Sequence, residues 1–357
     1  MEIKKYHTAK NISPSWDASI TSTYQSIAFL SHLETFNLCK QRYYVAQDSE
    51  KILAGAIVYS LKINLLTFSK FSFPITFTVI GIPASVDAAG IIGTNNEEIK
   101  ALIEYIFSQE KGLIVCLNYN QIDNIAKIIK MQTLPTLIFE KKNDSWNDFF
   151  NAIKHNYRHR ILKAEAKIAT AEKRVEPCTC FTIEHYNQYL AILKKSKTKL
   201  ETLSFEFFRN LPDNYQLFSF YHDNELLVWH ISTFDNSVYY FLFGGINYEL
   251  RDEFDSYYNN LISILKEGFE TQCDTINLGQ TAIVSKNRLG ADIIPLKMFF
   301  YHANPIIRRI LLLTKQLISY KIKENGVNIY KSLNYENTFY QTAHTGRNNR
   351  VAARNAR

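Results

Sequence analysis

The stretch from Ile276 to Gly290 gathers groups that could hold an anion or a carbonyl. Gly279, Gln280 and Thr281 directly follow the apolar run 275–278, where a chain leaving a sheet at its open end exposes backbone N–H groups to a ligand. An ordinary strand-ending turn is the plainer alternative. Lys286 and Arg288 follow closely, and such a pair can clamp a phosphate or carboxylate, Arg through a fork and Lys as a point charge. Two solvated cations on a loop would look the same in sequence. Gly290 would let the backbone approach a ligand closely.

Upstream lie groups suited to proton transfer. Tyr257 and Tyr258 fall in the first turns of a predicted helix and could orient a carbonyl or relay a proton, or simply pack, since the chain has 22 tyrosines. Glu249, Asp252, Glu253 and Asp255 could serve the helix N-terminus or receive a proton, and no spacing singles one out. His230 is a neutral imidazole in the middle of a predicted strand, a candidate base or a hydrogen-bonded structural group. His155 and His159 have the i, i+4 spacing of metal ligands, but Arg158 and Arg160 surround them and no HExxH acid accompanies them. No metal is expected. Five cysteines without paired CxxC spacing indicate neither a disulfide framework nor a zinc site.

These groups must be positioned by a chain of 357 residues that is 46% hydrophobic, too long for one core of ordinary size, so two domains are expected. No run approaches the ~20 apolar residues of a spanning helix, and residues 1–10 lack the apolar core of a signal peptide. A cytoplasmic protein is expected. The net charge of +7 suits an anionic ligand or surface. Residues 154–174 carry seven of the basic residues against two acids. That face could be solvated, meet phosphates of a tRNA or carrier-protein cofactor, or meet anionic lipid.

Residues 18–35 read as helical, 42–46 and 52–62 as a hairpin, and 73–80 as a strand; a helix at 96–109, a strand at 112–118, a short helix at 123–130 and a strand at 136–140 follow. Residues 146–175 lack glycine and proline and predict one long bridging helix. A second series then repeats the order: helices at 183–195 and 202–210, strands at 216–221, 226–233 and 238–244, a helix at 255–270, and strands at 275–278 and 296–302. Asn304-Pro305 opens a last, amphipathic and basic helix to about residue 323, which either packs on the second lobe or lies in a membrane interface.

The succession Trp146…Phe149…Tyr157-Arg158-His159-Arg160…Lys163 resembles the helix that opens the second module of FemAB-like acyltransferases. The block Phe243-Gly244-Gly245…Tyr248-Glu249-Leu250, Tyr257-Tyr258…Leu261, and Ile276-Asn277-Leu278-Gly279-Gln280-Thr281-Ala282…Lys286…Arg288-Leu289-Gly290-Ala291 is similar to the signature of FemAB-like and GNAT "acetyltransferase 6" (BioF2-like) proteins. Trp16…Phe29-Leu30…Leu33 and Gly81-Ile-Pro-Ala look like their first module. The resemblance implies an α/β fold of two GNAT-like modules with mixed, mostly antiparallel central sheets flanked by helices. It divides the chain into modules at 1–145 and 146–304; a helix and extension at 305–343 follow, and then a basic tail at 344–357 whose wealth of Arg, Asn and Ala makes disorder the expectation.

It also implies an N-acyltransferase. The acyl group would move from acyl-CoA or an acyl carrier protein, as co-substrate rather than tightly bound cofactor, onto an amine, such as an amino-lipid, by direct attack. His230 falls where a GNAT module borders the acceptor amine and joins Tyr257 and Tyr258 as a catalytic candidate. Gly244, Gly245, Gly279, Gln280, Thr281, Lys286, Arg288, Gly290 and Arg158 are the substrate-binding candidates. The Arg/Gln-x-x-Gly-x-Gly/Ala pyrophosphate turn of single-domain acetyltransferases does not precede 255–270. An aminoacyl-tRNA-dependent transferase and a catalytically silent GNAT-like binding module are the alternatives. Peripheral contact with the inner membrane face would run through 305–323.

Overall fold

The structure, a computed structural model, describes residues 1–37, 39–68, 71–121, 125–196, 201–323 and 326–331. The first half contains β1 (Glu2–Tyr6), α1 (Ile27–Phe36), β2 (Arg42–Asp48), β3 (Lys51–Asn64), β4 (Pro74–Ile80), β5 (Ile91–Gly93), α2 (Asn96–Gln109), β6 (Leu113–Cys116), β7 (Ile129–Gln132) and β8 (Thr136–Glu140). Next come α3 (Trp146–Ala152), α4 (His155–Ile168), β9 (Glu172–Pro177), α5 (Ile183–Lys195), α6 (Phe205–Arg209), β10 (Tyr215–His222), β11 (Glu225–Asp235) and β12 (Val238–Ile246). The remainder is α7 (Ser256–Glu270), β13 (Thr275–Gln280), α8 (Ile283–Asn287), β14 (Asp292–Ile294), β15 (Lys297–Tyr301), α9 (Pro305–Leu313) and α10 (Lys315–Ile318).

Two mixed sheets flanked by helices result, as the α/β reading expects. One runs β1-β2-β3-β4-β6-β15-β7 with β5 beside β3, the other β14-β8-β13-β12-β11-β10-β9. Each has one parallel pair, β4 with β6 and β12 with β13. Two strands cross over. β15, from late in the chain, lies between β6 and β7, while β8, from the first half, pairs with β13 and β14. Each sheet therefore contains a strand from the other half of the chain.

Local chemistry accounts for many elements. In α2, Ile99, Leu102, Ile103, Ile106 and Phe107 are buried at helical spacing, Asn95 accepts from the Glu97 N–H, and Glu97 and Glu98 stand in the first turn, where the helix dipole favours acids. The β2–β3 hairpin turns through Ser49 at φ 54°.

Long-range pairing overrides local pattern elsewhere. The expected single helix over 146–175 is broken, because Ile153 leaves helical geometry to bridge Tyr330 and the Lys154 N–H donates to Ile329 O at 2.9 Å. Its end, 172–177, is the edge strand β9 paired with β10. Residues 129–132 are strand rather than the end of a helix, because β15 supplies a ladder partner; residues 123–124 of that expected helix lie outside the described set. Residues 18–26 form short turns ahead of α1, anchored by the Gln25 amide donating to Ala89 O and Ile91 O. The polar segment β1 is a strand that its pattern did not suggest. The tail expected to be disordered falls outside the described residues.

The expected last helix is interrupted at Thr314 and ends at Ile318. Leu311 and Ile318 are buried, while Ile306, Ile310, Leu312, Leu313 and Leu317 are exposed. Among the described residues no helix is long and apolar enough to cross a membrane.

Candidate active site

The site begins where a ladder ends. The parallel strands β12 and β13 pair at Val238 with Thr275, Tyr239 with Ile276 and Tyr240 with Asn277, and then part. A cavity of about 310 Å³ is lined by the residues just beyond the fork, 241–246 and 278–281. Backbone groups on that edge of β12 have lost their β13 partners and can bond a ligand.

The fork has identifiable causes. Gly279 has φ +67°, and Thr281 and Ala282 follow at φ 66° and 49°. Left-handed conformations of this kind are rare and costly for residues other than glycine. The Asn277 side chain secures the departure, accepting from the Gly279 N–H at 2.7 Å and donating to Asp87 Oδ2 at 2.8 Å. Asp87 also accepts from the Thr136 hydroxyl at 2.5 Å. The Gln280 amide donates to Leu134 O at 2.8 Å and to Asn118 Oδ1 at 3.4 Å. The loops after β4, β6 and β7 thus hold the far end of β13.

Lys286 lies on α8 with only 2% of its surface exposed, and it lines the cavity. Its Nζ donates to Gln280 O at 2.8 Å and to Gly279 O at 3.4 Å. An ammonium has three donors, so one remains for a ligand. Burial lowers its pKa to about 7, and the Asp87 charge opposes the shift without cancelling it. The group can therefore hold or release a proton near neutrality.

The candidates read from sequence separate by position. Gly244, Gly245, Gly279, Gln280, Thr281, Lys286 and Tyr257 line one cavity. A Cβ on Gly245 would stand 2.0 Å from Trp229 Nε1, so that glycine also seats the strand on a buried indole. Tyr257 is half-buried, and burial raises its pKa.

The other five are not among the cavity-lining residues. Tyr258 has Arg160 over its ring at 5.1 Å, and burial, countered by Arg160 and Arg288, pushes its pKa up to about 12. Arg288 is exposed, and Arg158 is half-buried on α4. His230 is fully buried in β11, stacked on Phe218, with Nδ1 2.7 Å from Asn260 Oδ1; burial takes its pKa down to about 3. Its hydrogen-bond partner Asn260 lines the cavity. Gly290, expected beside a ligand, has φ +99°, and a Cβ there would lie 2.7 Å from Ile329 Cδ1. Valine at 290 would disturb packing rather than block a substrate.

Sequence reading missed Asp87, Asn118, Asn260 and Glu201. Glu201 is buried, accepts from the Ser85 N–H at 2.8 Å and its hydroxyl at 3.0 Å, and is pushed up to about 7 by burial, partly offset by those bonds. Ser85 lines the cavity. The positions around Gly81-Ile-Pro-Ala carried only a turn signal, and nothing local told that they face β13. Among the described residues no group of three or more His, Cys, Asp or Glu could hold a metal ion, and all five cysteines are free.

No family model and no curated protein matches the sequence. Among solved structures, FemX is similar over 87% of this chain and 100% of its own, at 13% identity and a TM-score of 0.57. L-PGS from Bacillus licheniformis is similar over 89% and 98%, at 10% identity and 0.53. A conserved protein of unknown function from Bacteroides thetaiotaomicron covers 84% and 99%, at 9% identity and 0.53. The chain thus shares with FemX and L-PGS a fold of two mixed, mostly antiparallel sheets flanked by helices, a likeness of architecture alone.

Proposed function

We propose that this protein is an N-acyltransferase whose reaction takes place in the fork between β12 and β13. The reading is carried by one observation: buried Lys286, whose pKa burial pushes down to about 7, lines a cavity at the point where β12 and β13 part and leave strand backbone facing it. A neutral amine attacks the carbonyl carbon of an acyl thioester; the C–N bond forms, the C–S bond breaks, and the proton shed by nitrogen leaves on the thiol. Lys286, as ammonium, donates to the oxyanion of the tetrahedral intermediate, and the unpaired N–H groups of β12 add to it. Tyr257 and Gln280 orient the partners. The donor is acyl-CoA or an acyl carrier protein, used as co-substrate.

The amine acceptor is proposed to be an amino-lipid met by peripheral contact at the inner membrane face. The exposed Leu313 and Leu317, with Arg309 and Lys315 beside them in sequence, support this. The test is incubation with acetyl and long-chain acyl thioesters and a mixture of free amines and amino-lipids, read by mass spectrometry for new amides. Amide formation that Lys286→Met slows about 100-fold or more is expected. Equal amide yield from wild type and Lys286→Met, or none from any thioester, would overturn the reading; product only with aminoacyl-tRNA would move the protein to the aminoacyl-transferring class.

A further inference from the structure

The polar end around Lys286 accounts for only part of the cavity wall. The same space extends to the first sheet, where Ile63, Phe68, Phe77, Met298, Phe300 and Ile318 line it. They belong to the apolar cluster on that sheet face. Asn64 and Thr67 along this arm are engaged with nearby backbone: Asn64 Oδ1 accepts from Leu66 N at 3.1 Å and Phe73 N at 2.7 Å, and the Thr67 hydroxyl donates to Asn64 O. Among the described residues, Asp87 and Lys286 are the only charged groups lining the cavity, and both sit at the fork end.

A ligand group entering this arm can offer neither charge nor hydrogen bonds without a desolvation cost. An apolar space continuous with a polar end suits a molecule built the same way. We propose that the arm holds the aliphatic chain of the transferred acyl group, so that the donor is a medium- or long-chain acyl thioester with its carbonyl at Lys286. The inference rests on the acyltransferase reading for the reaction and on the cavity alone for the chain.

The test has two parts. Displacement of the fluorescent probe dansylaminoundecanoate by hexanoic, decanoic and hexadecanoic acids measures chain binding without any reaction. Affinity should rise about fourfold per methylene until the arm is full. Ile63→Trp and Leu65→Trp occupy half-exposed positions on the cavity wall, and folding of each is checked by melting. Either should remove the gain beyond hexanoate and lower the dodecanoyl-to-acetyl ratio of kcat/KM about tenfold or more. Affinity that does not change with chain length, or an unaltered ratio in both folded variants, would overturn the proposal. So would a chain preference that follows the amine, as with dodecylamine and an acetyl thioester. Chain-dependent binding lost in Ile63→Trp, with no amide from any thioester, would uphold the chain site and remove the transferase reading.

Discussion

The two parallel strand pairs of this protein begin alike and end differently. In the first half, β4 and β6 stay paired from Phe77 and Leu113 to Ile80 and Cys116, and the Leu117 N–H still donates to Ile80 O at 3.0 Å. In the second, β12 and β13 part after Tyr240 and Asn277. The zipped pair satisfies its own backbone and meets the cavity through apolar side chains such as Phe77 and Val115. The opened pair leaves strand edges facing a cavity, with Lys286 beside them. What distinguishes the two is the asparagine–glycine turn at 277–279 and the cross-chain bonds to Asp87 and Leu134 that hold it. A binding cleft here is a ladder deliberately left unfinished, and the first half lends its loops to keep it so.

The largest expected effect comes from removing the charge at the fork. Lys286→Met should lower kcat/KM by about 10²- to 10³-fold, the usual cost of losing an oxyanion donor. Its stability should move the other way. The folded pKa is depressed to about 7 from an ordinary 10.5, so unfolding takes up a proton between those values and stability rises with pH across that window. The cost of burying the ammonium is fully present below pH 7. The variant should therefore exceed wild type most at pH 6, the gap closing above pH 7 by at most about 1.4 kcal/mol per pH unit. Urea titrations from pH 6 to 9 measure it; a gap independent of pH would mean that Lys286 is not buried as a titrating cation.

Asn277→Ala tests what holds the fork open. Two hydrogen bonds are lost, one to a carboxylate, and stability should fall by about 2 to 3 kcal/mol. Transfer should fall with it, since β13 then loses its anchor to Asp87. Ile114→Ala, in the zipped pair but outside the cavity lining, should cost a comparable amount of stability and leave the ratio of activity to folded protein unaltered. Equal activity losses per folded molecule would erase the distinction between the pairs.

Glu201→Gln gives a smaller, pH-bounded effect. Its folded pKa is raised to about 7 from 4.5 by burial, so the folded protein binds the extra proton and wild type loses stability as pH rises from 4.5 to 7. The advantage of the variant should grow across that interval and level off above it. Melting curves at pH 5, 6 and 8 check the sign. The least change in stability is expected for Leu313→Ser with Leu317→Ser. Both are exposed, at 78% and 50%, and the pair should shift stability by no more than about 1 kcal/mol. Sedimentation with anionic vesicles should nevertheless lose the protein from the pellet; a large drop in melting temperature would show that the stripe packs on the protein instead.

Local pattern was enough for much of the architecture. The stripe of α2, the β2–β3 hairpin, the strand order of 216–246 and the helix 256–270 all follow from side-chain periodicity and turn residues that act over a few neighbours. The Gly279-Gln280-Thr281 turn and Lys286 were legible as a candidate ligand site for the same reason. Distant partners decided the rest. Ile153 leaves its helix because Tyr330 pairs with it, 129–132 is a strand because β15 lies beside it, and Gly290 is a packing position because Ile329 covers it. Nor can sequence state how much water surrounds an amine. Lys286 is a cation among many in the sequence, and it becomes a group poised near neutrality only where tertiary packing strips its solvent and leaves two carbonyls in exchange.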